Sequence, residues 1–253
     1  MTPAKAARLA IREGRHTGST RGFAPGFVQC NLVVLDRSLA YDFLLYCQRN
    51  PKACPVLEVT DPGDPEPRRL APGADLRTDL PRYAIYHNGA READRTEIRG
   101  LWTPDSVAFL IGSGMTWDLA LEQAGVSTDR NRWVLRTTIP TRPAGPFHGS
   151  LVATMRWLTP VQAIAAIRVS GRFPRHHGTP IHVGDPGAIG AETHAPLFGG
   201  PVPDLPSGLI PVFWACGVTP QEAALAGRLP LMITHAPGHA LISDLEADRL
   251  SIP

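Results

Sequence analysis

The stretch IPVFWACGVTPQEAALAGRLPLMITHAPGH (210–239) decides how this chain is read. Residues 210–216 form an apolar run of strand length. Thr219-Pro220 with Glu222 opens a helix that Gly227 closes, and 230–234 is a second apolar run. A strand, a short helix and a strand in this order predict a parallel pair joined by a right-handed crossover. The same rhythm precedes it. Residues 151–157 read as a strand, Thr159-Pro160 with Gln162 as a capping box, the following residues as a helix to about 169, and 180–183 as a short strand before Gly184-Asp185-Pro186. The expected fold is therefore α/β, with mixed sheets in two closely packed subdomains and parallel strand–helix–strand units in the C-terminal half. Residues 1–140 are assigned to the first subdomain and 141–253 to the second, with a cleft between them, the alternative being that the two are intertwined.

The first half is less regular. Residues 3–13 predict a helix ended by Gly14, and 31–35 (NLVVL) a buried strand. The next helix runs from about 38 to 50, with Leu39, Phe43, Tyr46 and Cys47 on its inner face. Residues 55–60 predict a strand, followed by a long Pro- and Gly-rich loop over 61–82 of the kind that is usually functional or a linker. Tyr83–His87 followed by Asn88-Gly89 predicts a hairpin with a type I′ turn. Thr103-Pro104 predicts a helix over about 104–111, a second helix spans about 116–124, and 132–139 reads as a strand.

Composition narrows the function. The chain has 253 residues and a formal net charge of +2, which gives nucleic acid no claim. No run is apolar and long enough to span a membrane, and the start MTPAKAARLAIREG lacks the apolar core of a secretory signal. The four cysteines make no C-x-x-C pair. A cytoplasmic protein with reduced thiols is expected. Only two lysines occur, Lys5 and Lys52, neither placed as a buried amine nucleophile, and no Gly-Lys-Ser/Thr string is present. Neither pyridoxal phosphate nor a nucleotide is expected. The 26 prolines and 24 glycines, in a chain of ordinary apolar content, point instead to shaped loops that carry the function.

Ligands in open α/β sheets bind beyond the carboxyl ends of the strands. On that rule Asp185, Thr219, His235 and His239 converge on one rim. His235 and His239 with Asp185 are the expected acid–base groups, with His148 nearby. Arg142 and Thr219 are expected to hold a substrate carboxylate, as Arg136 also could. His235, His239 and Asp185 are equally the candidate ligands of a divalent metal, although H-E-x-x-H is absent. Asp61 and Asp64, three apart in a rigid turn, are read either as site carboxylates or as Asx turns. His16 in HTG is a weaker anion-loop candidate. Cys216 is either a thiol nucleophile or a packing residue, and His176-His177 reads as a surface pair.

Seven strings in order, from RHTGSTRGFAPGFVQCNLVVL (15–35) through DFLLYCQRNPKACPVLEVTDPGDPEP (42–67), APGADLRTDLPRY (71–83), RPAGPFHGSLVATMR (142–156), IHVGDPGAIG (181–190) and IPVFWACGVTPQ (210–221) to THAPGHALISDL (234–245), resemble one family across nearly the whole chain. It is the hydro-lyase family labelled domain of unknown function 1445, which is similar to a domain of mitochondrial D-glutamate cyclase. The resemblance implies an α/β protein of two subdomains that closes D-glutamate to 5-oxo-D-proline with loss of water. It supplies no settled catalytic residues. Where relatives often read GCSFSFE this chain reads GSGMTWD (112–118), and where they often read TNIPCRPAG it reads TTIPTRPAG (137–145), so Ser113 and Thr138 replace a Cys and an Asn. The expected partner is a small carboxylate or amino acid, with neither nucleic acid nor membrane involved and a homo-oligomer left open. The alternatives are a carboxylate-binding regulatory protein without turnover and a metal-dependent hydrolase.

Overall fold

The computed structural model describes residues 1–128 and 132–252. The chain opens with helix α1 (Pro3–Arg12), whose first turn is capped by the Thr2 hydroxyl accepting from Lys5 N–H. The central strand β1 (Phe27–Asp36) runs into helix α2 (Arg37–Arg49), where Asp36 caps the backbone N–H of Ser38 at 2.9 Å. Phe43, Tyr46 and Cys47 form the buried face of α2, as the helical spacing predicts. Strands β2 (Val56–Val59), β3 (Tyr83–His87) and β4 (Ala90–Arg91) follow, and Asn88 and Gly89 both hold the positive φ that a type I′ turn requires.

The predicted helix over 104–111 is instead strand β5 (Ser106–Gly112). Every residue of SVAFLIG is buried, so the segment has no polar face to turn to solvent and sits inside the sheet between β1 and β2. Helix α3 (Asp118–Gln123) leads to β6 (Arg132–Pro140), β7 (Ser150–Leu158), helix α4 (Pro160–Gly171) with its capping box, and β8 (His182–Val183). Strand β9 (Ile210–Ala215), helix α5 (Thr219–Ala226), β10 (Leu231–His235) and β11 (Leu241–Glu246) complete the chain.

The strands form a seven-stranded sheet, ordered β2-β5-β1-β10-β3-β4 with β11 also on β1, and a four-stranded sheet, ordered β6-β7-β9-β8. Every pairing between these strands is antiparallel, which corrects the expectation of parallel units. The strand–helix–strand 210–235 is not a crossover within one sheet. Helix α5 carries the chain from β9 in the small sheet to β10 in the large one. Strands β7 and β8 do point the same way, but only because β9 lies between them. The sheets therefore do not divide at residue 140. Strand β6 already belongs to the small sheet, and β10 and β11 return to the large one, so the two units are interleaved along the chain.

The loop over 61–82 has a structural role. Leu70, Leu76 and Leu80 pack beneath one face of the large sheet with Leu32, Val34 and Ile85. Glu58 accepts the backbone N–H groups of Arg69 and Leu70 at 2.9 and 2.8 Å, and Asp79 receives Arg12 at 2.7 Å. Proline-rich backbone that cannot form a ladder is thus tied down by carboxylates.

One detail of the large sheet positions the site. Along its second edge β1 is shared by β11, opposite Gln29 and Cys30, and β10, opposite Val33 and Val34. Between them the chain leaves the sheet at HAPGH (235–239), so Asn31 and Leu32 face a gap in the ladder. Leu32 N–H, lacking a strand carbonyl, donates instead to Nδ1 of His235 at 3.2 Å.

Candidate functional site

That gap opens into a cavity of about 300 Å³ between the two sheets. The large sheet contributes Asn31 and His235, and the small sheet contributes Arg132, Val134, Thr154, Trp214 and Cys216. Ser113, Met115 and Trp117 enter from the turn after β5, Ser19 and Gly238 from two loops, and His177 from the turn after α4. A larger hollow of about 450 Å³ lies beside Val34, Leu39, Leu101 and Leu231. Its lining is mostly apolar, and its carboxylate, Asp36, is already the cap of α2. The polar groups converge on the smaller cavity.

Among the described residues no Asp or Glu lines this cavity, but an arginine does. Arg132 faces Arg156 directly across the β6–β7 ladder. Arg156 is neutralised by Asp118 at 3.2 Å and lies over the Trp117 ring at 5.8 Å, and Asp118 also pairs with Arg21. Arg132 has no such carboxylate among the described residues. Burial, and secondarily the charge of Arg156, push its pKa below the usual guanidinium value. An arginine stays protonated in this setting, so Arg132 presents an uncompensated cation to the cavity.

Two histidines line the cavity in complementary states. Nδ1 of His235 accepts the Leu32 N–H, so the ring proton resides on Nε2 and the free atom is a donor. His177 is the reverse. Its Nδ1 lies 3.0 Å from the Lys52 carbonyl, which can only accept, so Nδ1 carries the proton and Nε2 keeps the lone pair. Burial lowers both rings to about 4, and both are neutral at pH 7. His177 also sits in the left-handed region at φ +74°, a sparsely populated conformation of the kind that clusters at functional sites. The turn that carries it is anchored by Trp117, whose indole N–H donates to the His176 carbonyl at 2.9 Å. Histidines 176 and 177 are both buried, contrary to the surface reading, because this turn packs against β5, the turn after it and α4.

Of the candidate site residues read from the sequence, His235 and Cys216 line the cavity. Burial raises the Cys216 thiol above its usual value, although Thr154 and the charge of Arg132 oppose the rise. His239 stands just behind His235 without lining the cavity, and its Nδ1–H is given to the Pro237 carbonyl at 2.8 Å. Thr219 is fully buried and serves the turn. Its hydroxyl donates to the Cys216 carbonyl at 2.7 Å and accepts the Val152 N–H at 3.1 Å. His16 stacks on Phe23 with ring centroids 3.7 Å apart, and through Ser19 its loop reaches the cavity rim.

The structure does not bring the others here. Asp185 caps a short 3-10 helix over Pro186–Ile189, accepting from Gly187 N–H at 2.9 Å. Arg142 and His148 are exposed in the β6–β7 connection. Arg136 lies further along β6, paired with Glu222 at 2.7 Å. Asp64 forms the Asx turn to Glu66 and holds Arg68 at 2.9 Å, and Asp61 accepts the Asp64 N–H through its carbonyl. Ser113 lines the cavity, whereas Thr138 donates to the Ile189 carbonyl at 3.2 Å away from it. Among the described residues no group of three or more His, Cys, Asp or Glu side chains is placed to hold a metal, so Asp185, His235 and His239 do not form one.

Sequence reasoning missed Arg132 and His177. The signal for Arg132 was present in RWVLRTT: alternation puts residues 132 and 134 on one face of β6, directed at the other sheet once its antiparallel place is known.

A family model described as D-glutamate cyclase matches residues 107–244. Proteins named "Putative hydro-lyase" are similar along nearly the full length. One from Thermoanaerobacter sp. (strain X514) is 49% identical, covering 97% of this chain and 94% of its own. One from Stutzerimonas stutzeri (strain A1501) is 48% identical over 100% of this chain and 97% of its own. One from Bacillus licheniformis is 47% identical over 97% and 95%. The match over 107–244 includes Ser113, Arg132, Thr154, His177, Cys216 and His235.

Proposed function

The chain belongs to the hydro-lyase family that carries the D-glutamate cyclase domain, and from that membership we propose that its cavity removes water from a small carboxylate-bearing amino acid, most specifically by closing D-glutamate to 5-oxo-D-proline. The observation that carries this reading is Arg132, a cation with no carboxylate partner among the described residues, in a cavity that none of the described acidic residues lines. Such a guanidinium accepts a carboxylate through paired N–H donors. The cavity lies at the small end of the usual range for ligand pockets, roughly 300–1,000 Å³, which suits a molecule of amino-acid size.

Ring closure requires a free amine as nucleophile, and a free amine is favoured where positive charge surrounds it. Arg132 lines the cavity, and among the described residues no carboxylate lines it to hold an ammonium in its charged form. The same charge stabilises the oxyanion that develops when nitrogen attacks the carboxyl carbon.

The test is to incubate the purified protein with D-glutamate, L-glutamate and 5-oxo-D-proline and follow each by proton NMR. Interconversion of D-glutamate and 5-oxo-D-proline is expected, and its absence with intact protein overturns the reading. Thermal stabilisation by these compounds without turnover would assign the cavity to binding alone.

A further inference from the structure

We propose that His177 and His235 divide the chemistry of the cavity between them, His177 moving the protons through Nε2 and His235 acting only as a fixed hydrogen-bond donor to the developing oxyanion. This deepens the cyclisation reading and rests on it.

The division follows from what each ring has committed. The Nδ1–H of His177 is held by the Lys52 carbonyl, so its lone pair is at Nε2, and the residue lines the cavity. A proton taken at Nε2 leaves a cation still hydrogen-bonded through Nδ1, and the ring can give that proton back. His235 cannot work in this way. Its Nδ1 lone pair is occupied by Leu32 N–H, a backbone donor fixed in the central strand, so the ring cannot take a proton there without breaking that bond. To give up the Nε2 proton it would have to become an imidazolate. What remains is donation from Nε2–H, the role of a neutral imidazole that polarises a carbonyl.

The proton balance closes with one mobile imidazole. The substrate enters as an ammonium and a carboxylate. His177 takes one proton from nitrogen; the freed amine attacks the carboxyl carbon and the C–N bond forms. His177 passes that proton to the departing oxygen and then relays the second nitrogen proton by the same route. The C–O bond breaks, and the oxygen leaves as water. Nitrogen has lost two protons and the leaving oxygen has gained both, so no co-reactant is needed. His235 Nε2–H and Arg132 face the oxygen that carries negative charge between these steps.

The backbone supports His177 as a positioned group. It holds a left-handed backbone conformation that a turn of free choice would assign to glycine, as the next residue Gly178 does at φ +61°.

The experiment uses substitutions that preserve one function of each ring. His177→Asn tolerates the left-handed backbone and can still donate to the Lys52 carbonyl, but it offers no base. Turnover of D-glutamate is expected to fall about 100-fold or more, with exogenous imidazole restoring part of it to His177→Gly. His235→Gln keeps a donor near the Nε2 position and is expected to stay within about tenfold of wild type, whereas His235→Ala falls about 100-fold. Nitrogen-15 NMR of the imidazoles reads the tautomers directly, with the proton on Nδ1 of His177 and on Nε2 of His235. Wild-type turnover that persists in His177→Asn, or the same tautomer in both rings, overturns the division while leaving the cyclisation intact. No turnover by wild type overturns the cyclisation itself, and this division with it.

Discussion

Asn31 and Gly217 meet side chain to backbone where the two sheets join. The Asn31 amide donates to the Gly112 carbonyl at 3.0 Å and fills the space that a Cβ at position 217 would need. Gly217 is required for this approach and not for an unusual φ, since the glycines with positive φ do not include it. Gly217→Ala is therefore expected to destabilise the fold by about 1–3 kcal/mol, the usual cost of overpacking. The double variant Asn31→Ala/Gly217→Ala should recover part of that loss in a denaturant titration. If the single variant melts like wild type, the seam is looser than described.

Arg132 should be separable from stability. Its charge is desolvated and lies opposite Arg156, so Arg132→Gln is expected to leave the melting temperature unchanged or slightly raised. Stabilisation by D-glutamate or 5-oxo-D-proline should weaken by roughly 10- to 100-fold in apparent affinity, as for a lost charged hydrogen-bond pair worth about 1.5–3 kcal/mol. Calorimetry measures this, and undiminished affinity would remove Arg132 as the carboxylate anchor.

Asp118 should behave in the opposite way. It is the carboxylate shared by Arg156 and Arg21, both largely buried, and Asp118→Asn leaves those charges without compensation. A loss of about 3–5 kcal/mol is expected, as when one partner of a buried ion pair is removed. Chemical denaturation reads it directly.

Much of the fold was legible in the sequence because its local signals are strong. The capping box at Thr159, the Asn88-Gly89 turn and the buried face of α2 each depend on a few neighbouring residues. What was not legible depended on pairing. Apolar runs separated by a helix suit a crossover as well as they suit strands in two different sheets, and only long-range pairing tells β9 and β10 apart. That choice carried the site with it. A parallel rim would have gathered Asp185 and Thr219, whereas the antiparallel sheets leave Asp185 as a cap, bury Thr219 and bring Arg132 and His177 to His235 and Cys216. Ser113 was noticed only as a departure from family strings, and its place on the cavity wall follows from β5 being a strand.

Acid should weaken the fold before the carboxylates titrate. His177 and His235 are held at about 4 against an ordinary value of 6.5, and burial is the main cause. Below pH 6.5 the unfolded chain binds protons that the folded chain does not, so the contribution of these two rings is complete above that pH and is lost as pH falls towards 4. Each ring adds a slope of roughly 1.4 kcal/mol per pH unit in that window. Asp64 and Asp75 have lowered values, so their contributions persist until more acidic pH and do not mask the effect. Denaturant titrations at pH 7, 6 and 5 should show the decline, and His235→Gln should reduce it by the share of one ring, with His177 and the buried His176 still contributing. Constant stability from 7 to 5 would mean the rings are not held neutral.

Cys216 offers a last prediction about which of two thiol states the cavity holds. Of the four free cysteines, Cys30, Cys47 and Cys54 are buried and Cys216 is partly buried and lines the cavity, so alkylation of the native protein should label Cys216 first. Labelling requires the thiolate. Burial raises the Cys216 thiol, and the Thr154 hydrogen bond and Arg132 charge only partly offset it. Iodoacetamide should therefore react slowly at pH 7 and accelerate above pH 9. Arg132→Gln should slow it further by removing the favourable charge, and 5-oxo-D-proline should protect it by occupying the same cavity. Cys216→Ser is expected to retain turnover within several-fold, because a protonated thiol is a poor nucleophile and the proposed proton path runs through His177. Fast labelling at pH 7 together with complete loss of turnover in Cys216→Ser would instead make the thiolate the reacting group.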